Sequence, residues 1–371
     1  MNKENRIIIS GGGTGGHVFP AIAIAKALRS RDSKINILFV GSNHKMEMDR
    51  VPDAGFSIIG LPVTGFQRRL TWKNLLFFYN LLVSMIRAGK IVDKFNPDVV
   101  VGVGGYASGP VVKAAASRGI PVLIQEQNSY AGVTNRLLAK KASRICVAYE
   151  NMDKYFPAEK IVLTGNPVRS DLLDLSAKRE EALSWFGVKG NKKVILVLGG
   201  SLGAASINKG ISENIDLIKK SGIELIWQTG RFGIMNAKES IAKSRYSRVH
   251  VFEFISRMDL AYVLADLVIS RAGAATISEL CLTGKPAILV PSPNVAEDHQ
   301  TKNAMALVDR DAAVLVADAE SSTDLVSTAL ELINDSGRID KLRESISSMA
   351  LPDAAPHIAD EIFKLIKQKK D

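Results

Sequence analysis

The sequence feature that most constrains the fold is a short apolar run followed at once by glycines, at residues 6–17, which read RIIISGGGTGGH. A β-branched run of this kind is typical of a buried parallel strand. The glycines remove the side chains that would keep a ligand away from the backbone. The small and apolar spacing of residues 20–28 predicts a helix packed on a sheet. A strand, a glycine turn and a helix together predict a cluster of N–H groups at the positive end of a helix, which suits phosphate.

The same glycines fit the dinucleotide-binding pattern G-x-G-x-x-G at Gly11, Gly13 and Gly16. That pattern binds a dinucleotide when an acidic residue, about 20 residues further on, holds the ribose. The second predicted strand, residues 35–40, is followed by Gly-Ser-Asn and not by a carboxylate. We therefore expect no nicotinamide or flavin cofactor. The alternative, in which the glycines serve only strand-to-helix packing, does not require His17 at the mouth of the helix.

Length and composition predict a globular protein of two domains. A chain of 371 residues is too long for one typical core, and 46% hydrophobic with 23% charged residues is typical of a folded, soluble protein. No window approaches the run of roughly 18–20 apolar residues that a membrane span needs. The amino terminus leads directly into the first strand, and Cys146 and Cys281 are far apart, so we expect buried thiols in a reducing, cytoplasmic compartment.

The net charge of +10 predicts an anionic partner. Its basic residues are mostly scattered, and the sequence carries no signature of a DNA- or RNA-binding module. We therefore expect no nucleic acid among its partners.

Strand-like runs alternate with helical ones through the first half of the chain, which predicts parallel α/β layers with ligands at the carboxyl ends of the strands. Two of these ends are unusual. Residues 102–110 read GVGGYASGP and contain Tyr106, and residues 125–129 read QEQNS and contain Glu126 and Asn128. Because such loops share one sheet edge, we expect them to converge with the first glycine turn. The alternative for Glu126 and Asn128 is turn chemistry and helix capping.

Residues 68–94 predict a helix that is apolar nearly all round, with six Lys or Arg against the single acid Asp93. An apolar and basic helix too short to span a bilayer fits one that rests on an anionic membrane surface. A fully buried core helix, or a helix covered by a partner, is equally compatible with the pattern.

The second half of the chain repeats the architecture of the first. Residues 165–169 (GNPVR) predict a linker, and residues 193–204 (KVILVLGGSLGA) repeat the strand and glycine turn before a helix at residues 205–220. We therefore predict an α/β protein with a first domain at residues 1–164 and a second at residues 165–352. The last helix, within residues 353–371, is expected to pack back on the first domain.

Another glycine-containing strand end follows residues 267–270. The helix after it opens with small residues, so its first N–H groups stay accessible to a diphosphate. Glu279 lies one turn into this helix, where its carboxylate can accept two hydrogen bonds from a ribose diol, or can simply complement the helix dipole. The loop at residues 291–300 ends in His299 and Gln300, and Gln300 can bind a sugar hydroxyl.

Together, the stretches 11–17, 104–110, 126–128, 165–169, 199–204, 271–279 and 299–300 resemble the MurG family, the bacterial N-acetylglucosaminyl transferases of peptidoglycan precursor synthesis. The resemblance implies a GT-B fold, with two Rossmann-like, doubly wound domains separated by a cleft. It implies transfer, with inversion, of N-acetylglucosamine from UDP-N-acetylglucosamine to the 4-hydroxyl of the muramyl sugar of undecaprenyl-linked lipid I, which forms lipid II. It also implies no metal in the site and peripheral attachment to the cytoplasmic face of the cell (inner) membrane, which favours the membrane interpretation of residues 68–94. A UDP-sugar 2-epimerase of the same fold is the alternative.

The resemblance also implies site residues. The uracil is expected against the backbone of Ile255 and the ribose on Glu279, and Ser201 and Arg169 are expected to neutralise the departing UDP in place of a cation. His17 is our candidate for the base on the acceptor hydroxyl, since imidazole has an ordinary pKa of about 6.5. Glu126 is the second candidate, as a base or as an orienting group, and Tyr106 is expected to position the acceptor. The full set of expected donor contacts is Thr14, Gly15, Gly16, Asn128, Arg169, Ser201, Ile255, Ala274, Ala275, Thr276, Ile277, Ser278, Glu279 and Gln300.

Overall fold

A computed structural model describes residues 4–63, 73–200 and 202–370 of the chain. The chain divides into two compact units. One comprises Met1–Val168 and Asp353–Asp371, and the other comprises Arg169–Pro352. The chain therefore leaves the first unit after Val168 and returns to it at Asp353.

The first unit is built on a parallel sheet that has seven strands among the described residues, in the order β3-β2-β1-β4-β5-β6-β7. The strands lie where the apolar runs of the sequence predict them, because a parallel sheet covered on both faces requires strands that are apolar on both faces. They are β1 (Arg6–Ser10), β2 (Asn36–Ser42), β3 (Ser57–Leu61), β4 (Val99–Gly102), β5 (Val122–Glu126), β6 (Arg144–Val147) and β7 (Ile161–Leu163). Before Val168, the helices of this unit are α1 (Gly15–Arg31), α2 (Glu47–Asp53), α3 (Lys73–Phe95), α4 (Ser108–Ala116) and α5 (Val133–Leu138).

The core of the first unit lies on both faces of this sheet. Ile7 and Ile9 of β1 belong to one apolar cluster and Ile8 belongs to another, because successive side chains of a strand point to opposite faces. All three side chains are fully buried. The central strand is thereby fixed, and its carboxyl end delivers the glycine turn to the edge of the sheet.

The second unit repeats this plan with strand order β10-β9-β8-β11-β12-β13 within its described part. Its first strand, β8, pairs with β9 and β11 as β1 pairs with β2 and β4. The doubled Rossmann-like architecture and the α/β fold class predicted from the sequence are confirmed. The strands are β8 (Val194–Leu198), β9 (Glu224–Gln228), β10 (Val249–Phe252), β11 (Leu267–Ser270), β12 (Ala287–Leu289) and β13 (Val314–Leu315).

The helices of the second unit cover both faces of its sheet. They are α6 (Arg179–Phe186), α7 (Ala205–Glu213), α8 (Ile215–Ser221), α9 (Ile234–Ser244), α10 (Met258–Leu264), α11 (Ala274–Thr283), α12 (His299–Val308), α13 (Leu325–Asn334) and α14 (Ser336–Ser348). Short 3-10 turns lie at Ala139–Lys141, Ala158–Lys160, Ser170–Leu172, Ala296–Asp298 and Asp318–Glu320. Cys146 and Cys281 are both buried, free thiols.

The last helix, α15 (Ala354–Lys370), packs against α1 in the first unit. Ile358 and Ile362 are fully buried there, in the cluster that includes Ile7 and Ile9. Arg31 of α1 forms an ion pair with Asp360 of α15. The returning helix therefore completes one face of the first sheet.

One helix expected from the sequence is two. Residues 205–220 form α7 and α8, with Asn214 between them at φ −108° and ψ 18°. The Asn214 amide donates to the carbonyls of Gly210 and Ser322, at 2.9 Å each. An asparagine side chain that bonds to backbone carbonyls competes with helix continuation. The expectation of one continuous helix is wrong because Ser322, which is distant in sequence, takes part in the break.

Candidate active site

The loops after β1, β4 and β5 meet at the carboxyl edge of the first sheet. Gly104 has φ +95°, and a Cβ built on it would lie 2.8 Å from Cδ2 of His17. Gly105 has φ +81°, and its Cβ would lie 2.3 Å from the carbonyl oxygen of Gly12. Side chains at these two positions would separate the loops, so glycine is required there. The Gln127 amide closes the third loop onto the second by donating to the carbonyl of Val103 at 2.7 Å.

His17 lies in the first turn of α1, which begins at Gly15 with Thr14 as the N-cap residue. The Thr14 hydroxyl oxygen lies 3.1 Å from Nδ1 of His17, and the imidazole occupies the space that a Cβ on Gly104 would need. When Nδ1–H donates to this hydroxyl, Nε2 carries the lone pair. The contact at 3.1 Å fits this tautomer, which a base acting through Nε2 needs, and it equally fits the one in which the hydroxyl donates to Nδ1. Thr14 and Gly16 are exposed beside it, and Gly15 is partly exposed.

Glu126 is the last residue of β5 rather than part of the loop that follows, and it is buried. Its Oε1 accepts from the backbone N–H and the amide of Asn128, at 3.0 and 3.2 Å. Its Oε2 accepts from the N–H of Gly132 and the amide of Asn135, at 2.9 and 2.8 Å. Four donors thus engage one carboxylate, which holds the loop from Asn128 to Gly132 in place. Tyr106, in the neighbouring loop, is exposed.

Glu47 is a residue at this edge that the sequence reasoning missed. It begins α2, is 1% exposed, and accepts from the N–H of Gly13 at 3.0 and 3.1 Å and from the N–H of Ser42 at 2.9 Å. No carboxylate follows directly on β2, where the dinucleotide-binding pattern requires one, whereas Glu47 reaches the glycine turn from the following helix. Within the glycine turn, the N–H of Gly13 is therefore already bonded to Glu47.

The second unit presents the amino terminus of α11 at the carboxyl end of β11. Gly273 is the N-cap residue, and a Cβ built on it would meet only the hydroxyl oxygen of Thr276, at 3.9 Å. The backbone there is open to a ligand, as the small residues of the sequence predict. Ala274 and Ile277 are buried, Ala275 is partly exposed, and the Ser278 hydroxyl donates back to the carbonyl of Ala274 at 3.0 Å.

Glu279 lies further along α11 in a cluster with Tyr262 and Arg169. The hydroxyl of Tyr262, which is fully buried, donates to Oε2 of Glu279 at 3.0 Å. Burial raises the pKa of Glu279 to about 7, while the charge of Arg169 and the bond from Tyr262 oppose the rise. Arg169 itself donates to Asp171 at 3.1 and 2.6 Å and to the carbonyl of Ser256 at 3.4 Å. Tyr262 was not anticipated, since nothing in its sequence neighbourhood marks it.

Two other expected contact residues are held by internal bonds. The N–H of Ile255, which is fully buried, donates to Oε1 of Gln228 at 2.8 Å. The side-chain oxygen of Gln300 accepts from the N–H of Ser292 at 2.9 Å and so ties the start of α12 to the preceding loop. Ser201, the remaining expected contact, lies outside the described residues.

Helix α3 carries an exposed apolar stripe. Phe78, Tyr79, Leu82 and Ile86 are each more than half exposed, at 60%, 64%, 62% and 54%. Ala88 and other residues on the opposite side are buried. The interpretation of this segment as a fully buried core helix is therefore wrong. Residues 68–72 of the predicted segment lie outside the described residues, and no helix in the described part of the chain has the length and apolar character needed to cross a membrane.

Comparison with known families matches both units. The profile described as the Glycosyltransferase family 28 N-terminal domain fits residues 7–147, and the profile of the Glycosyltransferase family 28 C-terminal domain fits residues 194–358. Two Rossmann-like units, each matched by a profile of this family, therefore define a glycosyltransferase of the GT-B type.

Individual relatives make the assignment narrower. A protein of Parabacteroides distasonis named UDP-N-acetylglucosamine--N-acetylmuramyl-(pentapeptide) pyrophosphoryl-undecaprenol N-acetylglucosamine transferase is 56% identical over 367 residues, which cover 99% of this chain and 100% of the relative. The crystal structure of Acinetobacter baumannii MurG is 29% identical with a TM-score of 0.78, covering 97% of this chain and 99% of that one. The chain belongs to the MurG family.

The likeness to epimerases is one of fold alone. The structure of UDP-GlcNAc 2-epimerase from Neisseria meningitidis has a TM-score of 0.67 and 16% identity, covering 97% of this chain and 100% of that one. At this identity the comparison supports the common architecture and gives no reason to prefer epimerase chemistry.

Proposed function

We propose that the protein transfers N-acetylglucosamine from UDP-N-acetylglucosamine to the 4-hydroxyl of the muramyl sugar of undecaprenyl-linked lipid I, and so forms lipid II for peptidoglycan. The observation that carries this proposal is the identity, over nearly the whole chain, with transferases named for that donor and acceptor. In the reaction the acceptor oxygen bonds to the anomeric carbon while the bond from that carbon to UDP breaks. The configuration inverts, and the hydroxyl proton passes to a base.

In this proposal His17 is the base. Its imidazole lies where the loops after β1, β4 and β5 meet. In the tautomer in which Nδ1–H donates to the Thr14 hydroxyl, Nε2 is able to accept the proton of an acceptor hydroxyl. Glu126 is the less suitable base because four donors already engage its carboxylate. We assign Glu126 the orienting role that the sequence left open, since it fixes Asn128, and Tyr106 the positioning of the acceptor sugar.

The donor is assigned to the amino terminus of α11. The open backbone from Gly273 onward offers N–H groups at a positive helix end, and Arg169 adds a charge, so the leaving diphosphate is stabilised without a requirement for a metal ion. Glu279 accepts from the ribose diol. Because the N–H of Ile255 is bonded to Gln228, we assign the backbone contact with the uracil to the carbonyl of Ile255. The remaining donor contacts are assigned by resemblance to Thr14, Gly15, Gly16, Asn128, Ser201, Ala274, Ala275, Thr276, Ile277, Ser278 and Gln300.

The two units divide these tasks. Residues 1–164 with 353–371 carry the acceptor side, and residues 165–352 carry the UDP-sugar side. The exposed stripe of α3, with the exposed Arg87 and Lys90 beside it, suits the anionic surface of the membrane from which the lipid-linked acceptor comes. The protein accordingly works as a peripheral enzyme on the cytoplasmic face of the cell membrane.

The test is transfer of labelled N-acetylglucosamine to a lipid I analogue, with and without a chelator. We expect activity that survives chelation and a loss of about a hundredfold or more in kcat for His17→Ala, because general-base catalysis contributes about that much. His357→Ala, which changes an exposed histidine of α15, is the matched control and should keep full activity. Unchanged kcat in His17→Ala would remove the base assignment, and turnover of the UDP-sugar without lipid would instead support an epimerase.

A further inference from the structure

Glu47 is a buried carboxylate that the proposed chemistry does not use. Its two oxygens accept from the N–H of Gly13, and Oε1 also accepts from the N–H of Ser42. The carboxylate fills the space beside the glycine turn so completely that a Cβ on Gly12 would lie 2.1 Å from Oε1. A Cβ on Gly41 would lie 2.6 Å from Cγ of Glu47. The side chain is thus enclosed by glycines from the ends of β1 and β2.

A buried carboxylate is costly unless donors compensate for its lost hydration. The donors here are the backbone N–H groups of Gly13, in the glycine turn, and of Ser42, the last residue of β2, so the carboxylate ties the turn to the end of that strand. Gly13 has φ +92°, and because glycine has no Cβ its backbone is able to adopt several other conformations where nothing restrains it. Glu47 therefore acts as an internal anion that selects one shape of the turn. The Gly13 N–H is consequently engaged by the protein itself, and substrate phosphates must bind elsewhere on the turn.

The fixed turn leads directly to His17. Thr14 follows Gly13, and its carbonyl accepts from the N–H groups of His17 and Val18 at 3.1 and 3.2 Å. Its hydroxyl lies 3.1 Å from Nδ1 of His17. The placement of the imidazole therefore depends on the placement of Thr14, and that depends on the bond between Gly13 and Glu47. We propose that Glu47 is a positioning residue that sets the orientation of His17 through the glycine turn.

This inference rests on the proposed function, in which His17 is the base. The test is a double-mutant cycle on kcat with Glu47→Gln, His17→Ala and the double variant. Glu47→Gln replaces one acceptor oxygen with an NH2 group that opposes the backbone donors. We expect it to lower kcat by about ten- to a hundredfold in the natural background, because a displacement of about 1 Å costs about that much. In the His17→Ala background the same change should alter kcat less than about twofold.

Asp98→Asn is the matched control. Asp98 is also buried and accepts from a backbone N–H, that of Arg6 at 2.8 Å, but at the opposite end of β1. We expect this variant to lose thermal stability and to keep kcat. If Glu47→Gln does not fold, Glu47→Asp, which keeps the charge on a shorter side chain, carries the same cycle.

The outcomes separate the two proposals. An equal loss of kcat from the Glu47 change in both backgrounds, or a loss of stability with kcat retained, overturns the positioning role. An unchanged kcat in His17→Ala alone overturns the base assignment of the proposed function, whatever Glu47 does.

Discussion

The pair formed by Tyr262 and Glu279 makes the pH dependence of donor binding predictable. In the proposed function, the ionised carboxylate accepts from both ribose hydroxyls, so the affinity for UDP should rise as the pH passes through the pKa of Glu279, about 7. Tyr262 stabilises the ionised form by donating to Oε2 at 3.0 Å. Burial and the neighbouring Glu279 raise the pKa of Tyr262 well above its ordinary value, so the phenol remains a donor at neutral pH. Tyr262→Phe removes the hydroxyl and keeps the ring.

The size of the effect follows from the hydrogen bond. A bond to a charged group contributes about 1.5 kcal/mol, which corresponds to about one pKa unit. In the Tyr262→Phe variant, the pKa of Glu279 should therefore rise to about 8. At about pH 7.5 the ionised fraction falls from about three quarters to about one quarter, so UDP should bind about threefold more weakly. At about pH 9 the carboxylate is ionised in both proteins, and the difference should nearly vanish.

Calorimetric titration of UDP between about pH 6 and about pH 9 measures this shift. Glu279→Gln should remove most of the pH dependence. Tyr246→Phe is the control, because Tyr246 is another buried tyrosine of the second unit whose hydroxyl donates to a backbone carbonyl, that of Ile223, at 2.5 Å. The reasoning would be refuted if Tyr262→Phe weakened UDP binding by the same factor at every pH. It would also be refuted if the pH at the midpoint of the affinity change did not shift.

Three further changes test the proposed membrane-facing stripe of α3, the core of the first unit, and the place where the loops after β1 and β4 meet. Leu82→Asp, on the exposed stripe of α3, should reduce binding to phosphatidylglycerol vesicles about tenfold or more, while Leu217→Asp on α8 should not. Co-sedimentation measures both variants, and equal binding of the two would contradict the membrane role. Ile362→Ala should lower the free energy of unfolding, measured by urea denaturation, by about 2–4 kcal/mol, because the side chain is fully buried between α15 and the first sheet. A loss under about 1 kcal/mol would mean that α15 is not part of that core. Gly105→Ala should abolish transfer, because its Cβ would lie 2.3 Å from a carbonyl oxygen of the glycine turn. Gly119→Ala, at φ +69° with open space around it, is the control and should cost only about 1 kcal/mol of stability. Retained transfer in Gly105→Ala would show that the loops tolerate separation.

Much of the fold and part of the site could be read from the sequence. The strand after residue 193 repeats the one at residue 6, each followed by glycines, and this local repetition predicts two units of the same plan. Short apolar runs and glycine turns are properties of neighbouring residues, so the sequence displays them directly. The positions of His17 and Glu279 just inside helices that follow strands were visible for the same reason.

Other features depend on residues that are distant in the sequence. Asn214 ends a helix because Ser322 lies within reach of its amide, and Glu47 binds Gly13 although α1 and β2 separate the two residues in the chain. Neither contact leaves a local pattern. By its sequence neighbours alone, Asn214 is compatible with an uninterrupted helix, and Glu47 is compatible with an exposed position in the first turn of a helix. The exposure of the α3 stripe was likewise open, because an apolar helix has the same sequence whether or not other elements cover it.

By itself, therefore, the sequence determined the order of strands and helices, the glycine turns and the family, because each is encoded in short-range patterns and in their succession. Only the tertiary structure decided which polar group each buried donor meets. It placed a carboxylate on the first glycine turn and a phenol on Glu279, and it left one face of α3 uncovered. The physical reason is that hydrogen-bond partners and burial are set by the packing of whole elements, which no window of neighbouring residues contains.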